Sequence, residues 1–391
     1  MQSAARLVAL AFLAALTGCE TLSNPTQQTP DTATSTAAEA VPGQYIVVLQ
    51  DNVADPATVA RDLVNAAGGS LLRVYTSAIK GFAARLSAPA AAALQSNPLV
   101  TYVEADQVMR ADVTQAMDGN GDPWGLDRID QGALPLSGTY TYTSTGAGVN
   151  AYIIDTGIWT LHPEFGGRAN NVFDAYGATG EDCNGHGTHV AGTIGSATYG
   201  VAKGVSLHGV RVLSCVGLGL NSDVIAGVDW VTANHVNPAV ANMSLGGGKS
   251  AALDQAVTSL WNSGVFLAVA AGNDNVDACT ESPSGAPSVF TVAASTKTDA
   301  KASYSNWGTC VEVYAPGSAI VSTYLAGTTM SLSGTSMATP HVVGVGALYK
   351  ATFGDQPSAS VANWITSNST AGAITGNVSG TPNRLLFKGT L

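Results

Sequence analysis

A serine stands at the start of an apolar helical segment near the C-terminal end of the chain. Ser336 lies between Thr335 and Met337, and Pro340 follows four residues later. The first N–H groups of a helix have no intrahelical partner, so proline is tolerated there and the positive end of the helix dipole faces an approaching group. Such a position can hold a nucleophilic hydroxyl and the oxyanion that its attack creates. For this segment alone, the alternative is an ordinary serine or threonine N-cap.

Two other segments supply the partners that a nucleophilic serine needs for acyl transfer. Asp155 ends an apolar run in YIIDTG, and His186 lies between two glycines in NGHGTHVAGT. A carboxylate that orients an imidazole, which then deprotonates a hydroxyl, is the arrangement used in peptide hydrolysis. Two alternatives stay open at this point. DTG also marks aspartic proteases, which need two copies, and His186 with His189 has a spacing that could bind a metal, although without an H-E-x-x-H pattern.

The apolar runs predict that these side chains lie at one edge of a parallel sheet. From residue 148 onward, VNAYIID, LHGVRVL, AVANMSL, VFLAVAAG and VFTVAAS alternate with segments of helical spacing. Apolar runs without polar alternation indicate strands buried on both faces, as in the parallel sheets of α/β domains. Asp155, Ser244 and Asn273 follow three of these runs, and function is found at the carboxyl ends of such strands. We therefore predict an α/β domain with its functional residues at that edge.

The chain before this domain divides into three parts. Residues 1–19 contain a ten-residue apolar run that is too short to span a bilayer and is typical of an export signal. Its end, LTGC, resembles a bacterial lipobox and predicts lipidation of Cys19; a plain secretory signal with an incidental cysteine is the alternative. Residues 20–40 lack apolar periodicity and predict a flexible linker. Residues 41–110 predict the order β-α-β-β-α-β, a ferredoxin-like domain small enough to depend on a partner surface.

Composition and charge narrow the possible partners. The 391 residues include 27 acidic and 16 basic side chains, a formal net charge of −11, so nothing supplies a basic footprint for nucleic acid. Four cysteines remain apart from Cys19. Export to an oxidising compartment predicts disulfides among them, although their spacing leaves three pairings open. A zinc site is the alternative, but the chain has no C-x-x-C motif.

Together the three catalytic segments resemble those of the subtilisin-like serine peptidases. IIDTGI, NGHGTHVAGT and GTSMATPHV follow one another in the order Asp, His, Ser, which differs from chymotrypsin-like enzymes and α/β-hydrolases. PWGLDRIDQ, PAVANMSLGGG and AVAAGNDN are similar to the proteinase K and aqualysin branch. The likeness spans nearly all of 111–391, and 41–110 resembles the inhibitory propeptide of these peptidases. The resemblance implies a mostly parallel central sheet flanked by helices, preceded by a small ferredoxin-like propeptide domain.

The resemblance also implies what these residues do in an exported serine endopeptidase made as a self-processing precursor. Ser336 would attack a peptide carbonyl, with His186 as the general base and Asp155 orienting the imidazole. Asn273 and the backbone N–H of Ser336 would hold the oxyanion. Self-cleavage would occur around 110–116. A binding protein of the same fold without a competent serine, and a zinc hydrolase, remain alternatives from other classes.

The substrate is expected to bind as an added extended strand between two edges of the enzyme. The resemblance implies one edge at 244–246, the other at 217–219, and a first pocket walled by backbone near Gly246 and 270–272. No charge is expected at the base of that pocket, which implies a broad preference for apolar or aromatic P1 residues. Val216 makes the second edge more apolar than in relatives. The expected substrate-binding residues are Gly217, Leu218, Gly219, Ser244, Leu245, Gly246, Ala270, Ala271 and Gly272.

Disulfides and structural calcium follow from the same resemblance. In the aqualysin branch the corresponding cysteines pair in sequence order, which implies Cys183–Cys215 and Cys279–Cys310 and leaves Cys19 for lipidation. No catalytic metal is implied. One calcium site would use the carbonyls of Pro287 and Val289 with the side chain of Glu312, where relatives carry aspartate. A second would use Asp127, Asp130 and Gln131, with Ser137 and Thr139 nearby.

The expected partners are protein and peptide substrates and the chain's own propeptide, which would act as an intramolecular inhibitor and chaperone. No nucleic acid is expected, and a monomer is the default. Membrane contact would come only through a lipid on Cys19 before processing. The precursor would then be anchored at the bacterial cell envelope, and maturation would release the catalytic domain as a secreted enzyme.

Overall fold

The computed structural model describes residues 39–111 and 123–391. The predicted export signal, the lipidation at Cys19, nearly all of the linker 20–40, and the part of the self-cleavage region after Ala111 lie outside the described residues. Within the described residues, no helix combines the length and the apolar character needed to cross a membrane.

The N-terminal domain has the predicted order of strands and helices. Asp55 and Ser87 begin its two helices as N-caps, each accepting a hydrogen bond from the backbone three residues on. The strands pair in the order β2-β3-β1-β4, all antiparallel, and the sheet packs against both helices. The elements are β1 (Ala40–Leu49), α1 (Pro56–Ala66), β2 (Ser70–Tyr75), β3 (Gly81–Arg85), α2 (Ala88–Leu94) and β4 (Val100–Ala111).

The second domain is built on a nine-stranded sheet in the order β17-β18-β14-β13-β11-β9-β5-β7-β6, in which every neighbouring pair except β17 and β18 is parallel. Its elements are α3 (Trp124–Ile129), β5 (Asn150–Asp155), β6 (Ala169–Asp174), α4 (His186–Gly195), β7 (Ser206–Arg211), β8 (Leu218–Leu220), α5 (Asn221–Asn234), β9 (Ala239–Met243), β10 (Leu245–Gly248), α6 (Ala251–Asn262), β11 (Phe266–Ala270), β12 (Glu281–Ser282), β13 (Phe290–Ser295), β14 (Val313–Pro316), β15 (Ile320–Thr323), β16 (Thr329–Leu332), α7 (Thr335–Phe353), α8 (Ser358–Asn368), β17 (Thr370–Ala371) and β18 (Arg384–Leu385).

Helices cover both faces of this sheet, so each buried strand contributes to two cores. In β5, Ile153 packs in the layer that contains Val342 of α7, whereas Ile154 packs in the layer that contains Val228 of α5. All four side chains are completely buried. This explains the uninterrupted apolar runs, because a strand covered on both faces has no solvent side for polar residues. The predicted fold, an α/β domain after a ferredoxin-like one, is confirmed.

The ends of three adjacent parallel strands bring the polar residues to one edge. Asp155 is the last residue of β5, Ser244 follows β9, and Asn273 lies shortly after β11. Helices α4 and α7, which begin at His186 and Thr335, pack against each other. The carboxyl end of the sheet and the N-termini of these helices therefore share one region.

The last strand of the N-terminal domain joins the two domains. Glu104 accepts hydrogen bonds from the Ser250 hydroxyl (2.6 Å) and the Ala251 N–H (3.1 Å), at the start of α6. Asp106 accepts from the N–H (3.0 Å) and hydroxyl (2.5 Å) of Ser222, at the start of α5. Burial raises the pKa of both carboxyls, whereas these hydrogen bonds lower it. Each carboxylate thus caps a helix of the other domain, where negative charge is favoured.

Replacing both capping carboxylates should loosen the N-terminal domain. In Glu104→Gln with Asp106→Asn, each helix keeps a neutral acceptor and loses a charge, at a cost of about 1–2 kcal/mol per site. The two sites together cost about 2–4 kcal/mol, so we expect the domain to dissociate about 30- to 900-fold more readily. Size-exclusion chromatography after cutting the chain at an engineered site within 112–122 would measure this. Asp62→Asn, at an exposed position on α1, is the matched control. If the N-terminal domain stays bound to the same extent in the double variant and in Asp62→Asn, the capping role is contradicted.

Candidate active site

Asp155 and His186 form a buried hydrogen bond at the carboxyl end of β5. The Nδ1–H of His186 donates to Oδ1 of Asp155 over 2.7 Å, and the relative exposures of the two residues are 0% and 1%. The same oxygen accepts the Thr156 N–H at 2.7 Å. With its proton directed from Nδ1 to the carboxylate, the ring has Nε2 as its basic nitrogen. This is the orientation that a general base for a hydroxyl requires.

The loop before α4 fixes the position of His186. Asp182 accepts the Asn184 and Gly185 N–H groups through Oδ1 (both 2.9 Å) and the N–H and hydroxyl of Thr188 through Oδ2 (2.9 and 2.6 Å). A Cβ on Gly187 would lie 2.1 Å from the carbonyl oxygen of Gly157. Only glycine therefore lets the first turn of α4 approach the turn after Asp155.

Ser336 lies in the first turn of α7 and is fully buried against Ser244. Its hydroxyl donates to the Ser244 carbonyl at 3.1 Å, and the Ser244 hydroxyl donates to the Ser336 carbonyl at 2.8 Å. In an uninterrupted helix the N–H of residue 340 would serve the Ser336 carbonyl, but Pro340 has no N–H. Ser244 replaces that missing donor. The proline noted in the sequence therefore creates the need for a partner at the end of β9.

Asn273 is oriented by the residue before Ser336. Its side-chain oxygen accepts the N–H and the hydroxyl of Thr335 at 2.9 and 3.0 Å. Two donors on one oxygen determine the orientation of the amide, so its NH₂ group is turned away from Thr335. The N–H of Ser336 belongs to the first turn of α7 and has no intrahelical partner. One donor proposed for the oxyanion therefore belongs to the start of α7, and the other is oriented by it.

The rings of His189 and His341 are buried and bonded to backbone carbonyls. Nε2 of His189 donates to the carbonyls of Ile320 and Met330, both at 3.0 Å, and Nδ1 of His341 lies 2.9 Å from the Met337 carbonyl. Burial lowers the pKa of His189 to about 3 and that of His341 to about 4. Both rings are therefore neutral at ordinary pH. His189 ties α4 to the β15–β16 hairpin, which is the structural role that its position suggests.

The end of the N-terminal domain lies between the two edges expected to hold a substrate. On one side β4 pairs antiparallel with β10, Ala111 facing Leu245, Arg110 facing Gly246 and Met109 facing Gly247. On the other side it pairs with β8, Met109 facing Gly219 and Arg110 facing Leu218, and the Ala111 N–H donates to the Gly217 carbonyl at 3.0 Å. A three-stranded antiparallel arrangement results, with β4 in the centre.

Met109 anchors this strand. Its side chain is completely buried, and a Cβ on Gly247 would lie 2.7 Å from its sulfur. Beyond Ala111 a cleft with a volume of about 380 Å³ opens beside the Asp155–His186 pair. It is lined by Ala111, Asn184, His186, Val216, Gly217, Tyr324, Met330 and Leu332.

The Glu281 carboxylate, which no sequence motif indicated, lies close to Gly272. Nδ2 of Asn306 donates to Oε2 of Glu281 at 3.0 Å, and a Cβ on Gly272 would lie 2.6 Å from that oxygen. Glu281 reaches this position because β12 pairs with β10, with Glu281 opposite Gly248. Its only signal in the sequence is an acidic residue within CTESPSG, a segment that is otherwise uncharged.

Both disulfides implied by the resemblance are present. Cys183 is bonded to Cys215 and Cys279 to Cys310, with Cα separations of 4.9 and 5.4 Å. The first joins the loop before His186 to the loop before the β8 edge. Asn184 reinforces that link, since its Nδ2 donates to the Cys215 carbonyl at 3.1 Å.

The first expected calcium set has the chemistry for a cation. Glu312 is largely buried, and its Oε2 accepts the Thr291 N–H at 2.5 Å, directly after the loop that holds Pro287 and Val289. Burial raises the pKa of its carboxyl to about 8. An oxygen-only donor set around a poorly solvated carboxylate suits calcium, whose charge would offset that burial.

In the second expected calcium set, hydrogen bonds within the loop use the carboxylate oxygens. Asp127 uses Oδ1 for the N–H and hydroxyl of Ser137 (3.0 and 2.9 Å) and Oδ2 for the Gly138 N–H (2.6 Å). Oε1 of Gln131 also accepts the Ser137 N–H, and the Ser137 and Thr139 hydroxyls share a hydrogen bond of 2.8 Å. Asp130 is turned to Thr141 instead. Hydrogen bonds therefore close this loop, because serine and threonine supply donors to the carboxylate.

Among the residues that the structure describes, no group of three or more His, Cys, Asp or Glu side chains is arranged to hold a metal ion.

Removing the Ser244 hydroxyl should destabilise the start of α7. Ser244→Ala leaves the Ser336 carbonyl buried without a donor, which should lower the free energy of unfolding by about 1–3 kcal/mol. Thermal unfolding followed by circular dichroism would measure the loss. Ser259→Ala is the matched control, because Ser259 also donates to a helix carbonyl (3.0 Å) but near the surface of α6. Equal effects of the two substitutions would contradict a special role for Ser244.

Comparison with known proteins agrees with this geometry. A family model described as the subtilase family matches residues 146–385, and one described as peptidase inhibitor I9 matches residues 44–112. An extracellular serine proteinase of Thermus sp. (strain Rt41A) is 48% identical over 375 residues, 90% of each chain. A cuticle-degrading protease of Metarhizium anisopliae is 45% identical over 362 residues, 91% of this chain and 92% of that one.

A solved structure of another proteinase is also similar to this chain. A cold-adapted subtilisin-like serine proteinase has a TM-score of 0.67 and 51% sequence identity, covering 68% of this chain and 97% of its own. The match to the subtilase model spans more than half of the chain, and the inhibitor model matches the domain that supplies β4. The chain belongs to the subtilase family of serine proteinases and carries a peptidase inhibitor I9 domain ahead of its proteinase domain.

Proposed function

We propose that this chain is the precursor of an extracellular serine endopeptidase whose catalytic triad is Asp155, His186 and Ser336. The observation that carries the proposal is the position of β4. Its Ala111 pairs with Leu245, and the neighbouring Ser244 shares two hydrogen bonds with Ser336. A peptide strand bound in the same register as β4 would continue past the Ala111 position toward the Ser336 hydroxyl. Peptide-bond hydrolysis is the chemistry that this arrangement serves.

Each step of the reaction uses a group already oriented in the fold. His186 Nε2 takes the proton of Ser336 as the hydroxyl attacks the peptide carbonyl, while Asp155 holds the Nδ1–H and stabilises the imidazolium. The tetrahedral oxyanion receives hydrogen bonds from the Asn273 NH₂ and the Ser336 N–H. The imidazolium then protonates the leaving amine, and a water molecule hydrolyses the acyl-enzyme by the same route in reverse.

The substrate binds as the central strand between β8 and β10, in the manner of β4. Main-chain hydrogen bonds to 217–219 and 244–246 supply affinity independent of sequence, and side-chain pockets supply preference. Buried Ala270 and Ala271 with the backbone of Gly246 give the first pocket apolar walls, which favour apolar and aromatic P1 side chains. These are the residues that the family resemblance assigns to the substrate.

The N-terminal domain acts as an intramolecular inhibitor. Its strand occupies the substrate position, and the caps that it places on α5 and α6 bind it to the proteinase domain. Self-cleavage beyond Ala111 and release of the domain would yield the mature enzyme. Export through residues 1–19, with a lipid on Cys19 that holds only the unprocessed chain at the membrane, completes the proposal.

Calcium at Glu312 would stabilise the mature enzyme without taking part in catalysis. The ion would be held by the Glu312 carboxylate together with the carbonyls of Pro287 and Val289. When bound, it supplies positive charge to a buried carboxylate and fixes the loop before β13.

Substitution of the nucleophile tests the proposed function. Ser336→Ala should lower kcat by about 10⁶ and abolish labelling by a fluorophosphonate reagent. Asn273→Leu should still be labelled and should lose roughly 10²–10³ in kcat, because only an oxyanion donor is removed. Both magnitudes are those of subtilisin. Peptidase assays and mass spectrometry of the labelled peptide provide the measurements. Near-normal activity of Ser336→Ala would end the proposal. A wild type that shows neither peptidase activity nor labelling would instead indicate a calcium-stabilised binding protein.

Removal of calcium should destabilise the enzyme through Glu312. At a calcium concentration of about 100 times Kd, the ion adds about 2.7 kcal/mol to stability, which a chelator removes. We expect the chelator to lower Tm by roughly 5–10 °C. Glu312→Gln should abolish this difference, whereas Asp130→Asn should keep it, since Asp130 is bonded to Thr141. Differential scanning calorimetry would measure both. A full calcium effect in Glu312→Gln would place the ion elsewhere.

A further inference from the structure

We propose that the Cys183–Cys215 disulfide is a redox-modification site, and that its reduction by a dithiol weakens the binding of peptide substrates. The inference rests on the proposed function, because it concerns the regulation of the same site. The co-reactant is defined by its chemistry, two neighbouring thiols that together supply two electrons.

Access distinguishes this disulfide from the other one. Cys183 and Cys215 are both exposed even with β4 in the cleft, and the adjacent Val216 is 75% exposed. Cys279 and Cys310 are both half-buried. Thiol–disulfide exchange requires a thiolate to reach a sulfur atom, so its rate depends on access. The first disulfide should therefore react before the second.

A guanidinium lies against both sulfur atoms of the exposed disulfide. Nη2 of Arg211 is 3.4 Å from Sγ of Cys183 and 3.6 Å from Sγ of Cys215. When a thiolate attacks either sulfur, the other leaves as a thiolate, whose negative charge this cation stabilises. The sulfur of Cys279 has a neutral neighbour instead, the Thr309 hydroxyl at 3.5 Å.

Neighbouring groups hold the guanidinium in this position. Nε of Arg211 donates to the Leu213 carbonyl at 3.4 Å, and its Cζ lies 5.1 Å from the centre of the Tyr176 ring. Oδ2 of Asp174 is 3.7 Å from Nη1, and both oxygens of that carboxylate also accept backbone N–H groups of their own loop. These contacts use Nε and Nη1, whereas Nη2 is directed to the sulfur atoms. The cation is therefore in place before exchange begins.

The exchange proceeds in two balanced steps. A thiolate of the dithiol attacks one sulfur of the pair, the S–S bond breaks, and its electrons leave with the other cysteine as a thiolate beside Arg211. The second thiol of the reductant loses its proton, attacks the mixed disulfide and displaces the remaining cysteine. Two protons pass to the cysteine thiolates. The protein disulfide is thus reduced to two thiols, and the dithiol is oxidised to a disulfide.

Reduction would loosen one substrate edge more than the catalytic histidine. Cys215 lies in the turn before β8, which is closed by a 2.9 Å hydrogen bond from the Gly217 N–H to the Ser214 carbonyl. Without the disulfide, this turn loses its covalent attachment to the loop before His186. Asp182 still accepts four hydrogen bonds at the start of α4, so the histidine stays in position.

Two hydrogen bonds remain at the loosened edge. Nδ2 of Asn184 donates to the Cys215 carbonyl at 3.1 Å, and the Tyr176 hydroxyl donates to the Leu218 carbonyl at 3.3 Å. The edge therefore gains freedom without unfolding. A peptide that pairs with β8 must then order it on binding, which lowers affinity. We expect a higher KM with kcat nearly unchanged.

The rates of reduction test the chemistry of the disulfide. Mature enzyme, blocked at Ser336 by a fluorophosphonate to prevent self-digestion, would be treated with dithiothreitol. New thiols would be trapped with iodoacetamide and located by mass spectrometry. We expect Cys183–Cys215 to be reduced about 10-fold faster than Cys279–Cys310, or more. Equal rates at the two disulfides would overturn the inference.

A variant isolates the contribution of the guanidinium. Arg211→Gln should slow reduction of Cys183–Cys215 roughly 3- to 10-fold and leave the other disulfide unchanged. Arg168→Gln is the matched control, because Arg168 is also half-buried and donates to a backbone carbonyl at 2.8 Å, and it should change neither rate. An Arg211→Gln rate equal to that of the wild type would refute the role of the cation.

Kinetics of the mature wild type test the effect on substrate. After selective reduction and alkylation, KM for a tetrapeptide p-nitroanilide should rise roughly 3- to 10-fold, with kcat changed less than about twofold. KM for acetyl-tyrosine ethyl ester, which is too short to pair with β8, should not change. Reoxidation of a sample that was not alkylated, with oxidised glutathione, should restore the first value. Cys279→Ser with Cys310→Ser is the matched control and should keep the wild-type KM.

An unchanged KM for the tetrapeptide, or an equal rise for the short ester, would overturn the inference. Cleavage and labelling of Ser336 before reduction test the proposed function separately. If both are observed, that function stands whatever the disulfide does. Their absence would refute the function, and this inference with it.

Discussion

The hydrogen bond between Asp155 and His186 is the constraint around which the site is built. A carboxylate and an imidazole meet at 2.7 Å in a region closed to solvent, where an unpaired charge would be costly. That contact requires a parallel strand that ends on the carboxylate and a helix that begins on the histidine. It also requires Gly187, since any side chain there would strike the turn at Gly157.

The pairing of β4 with β8 and β10 explains how an inhibitor can resemble a substrate. A strand edge forms backbone hydrogen bonds with any extended peptide, whatever its sequence. The N-terminal domain uses this property and adds the carboxylates of Glu104 and Asp106, which lie on the same strand. Because α5 and α6 pack on the central sheet, these caps connect the N-terminal domain to the core of the proteinase domain.

Much of this architecture could be predicted from the sequence because it depends on local patterns. Continuous apolar runs predicted the buried strands, and Asp155, Ser244 and Asn273 after them lie at one edge of the sheet, as predicted. Contacts between distant residues were harder to predict. Pro340 is visible in the sequence, but the partner that it requires, the Ser244 hydroxyl, depends on the ends of β9 and α7 meeting. The Asp127 loop is a second example, because its oxygen atoms can bind a cation or accept N–H groups and the sequence alone cannot rank the two.

Glu281 shows why contacts between distant segments are the least predictable level. The residues expected around the first pocket, 244–246 and 270–272, are uncharged, and nothing in those segments indicates an acidic neighbour. Glu281 lies on β12, and a Cβ on Gly272 would lie 2.6 Å from its Oε2, so the carboxylate comes this near only because Gly272 lacks a side chain. Gly272 has a φ of +102°, a conformation in which glycine is strongly preferred, so the absence of a Cβ is imposed by the turn before Asn273. The backbone conformation of that turn therefore creates the space that the Glu281 carboxylate occupies.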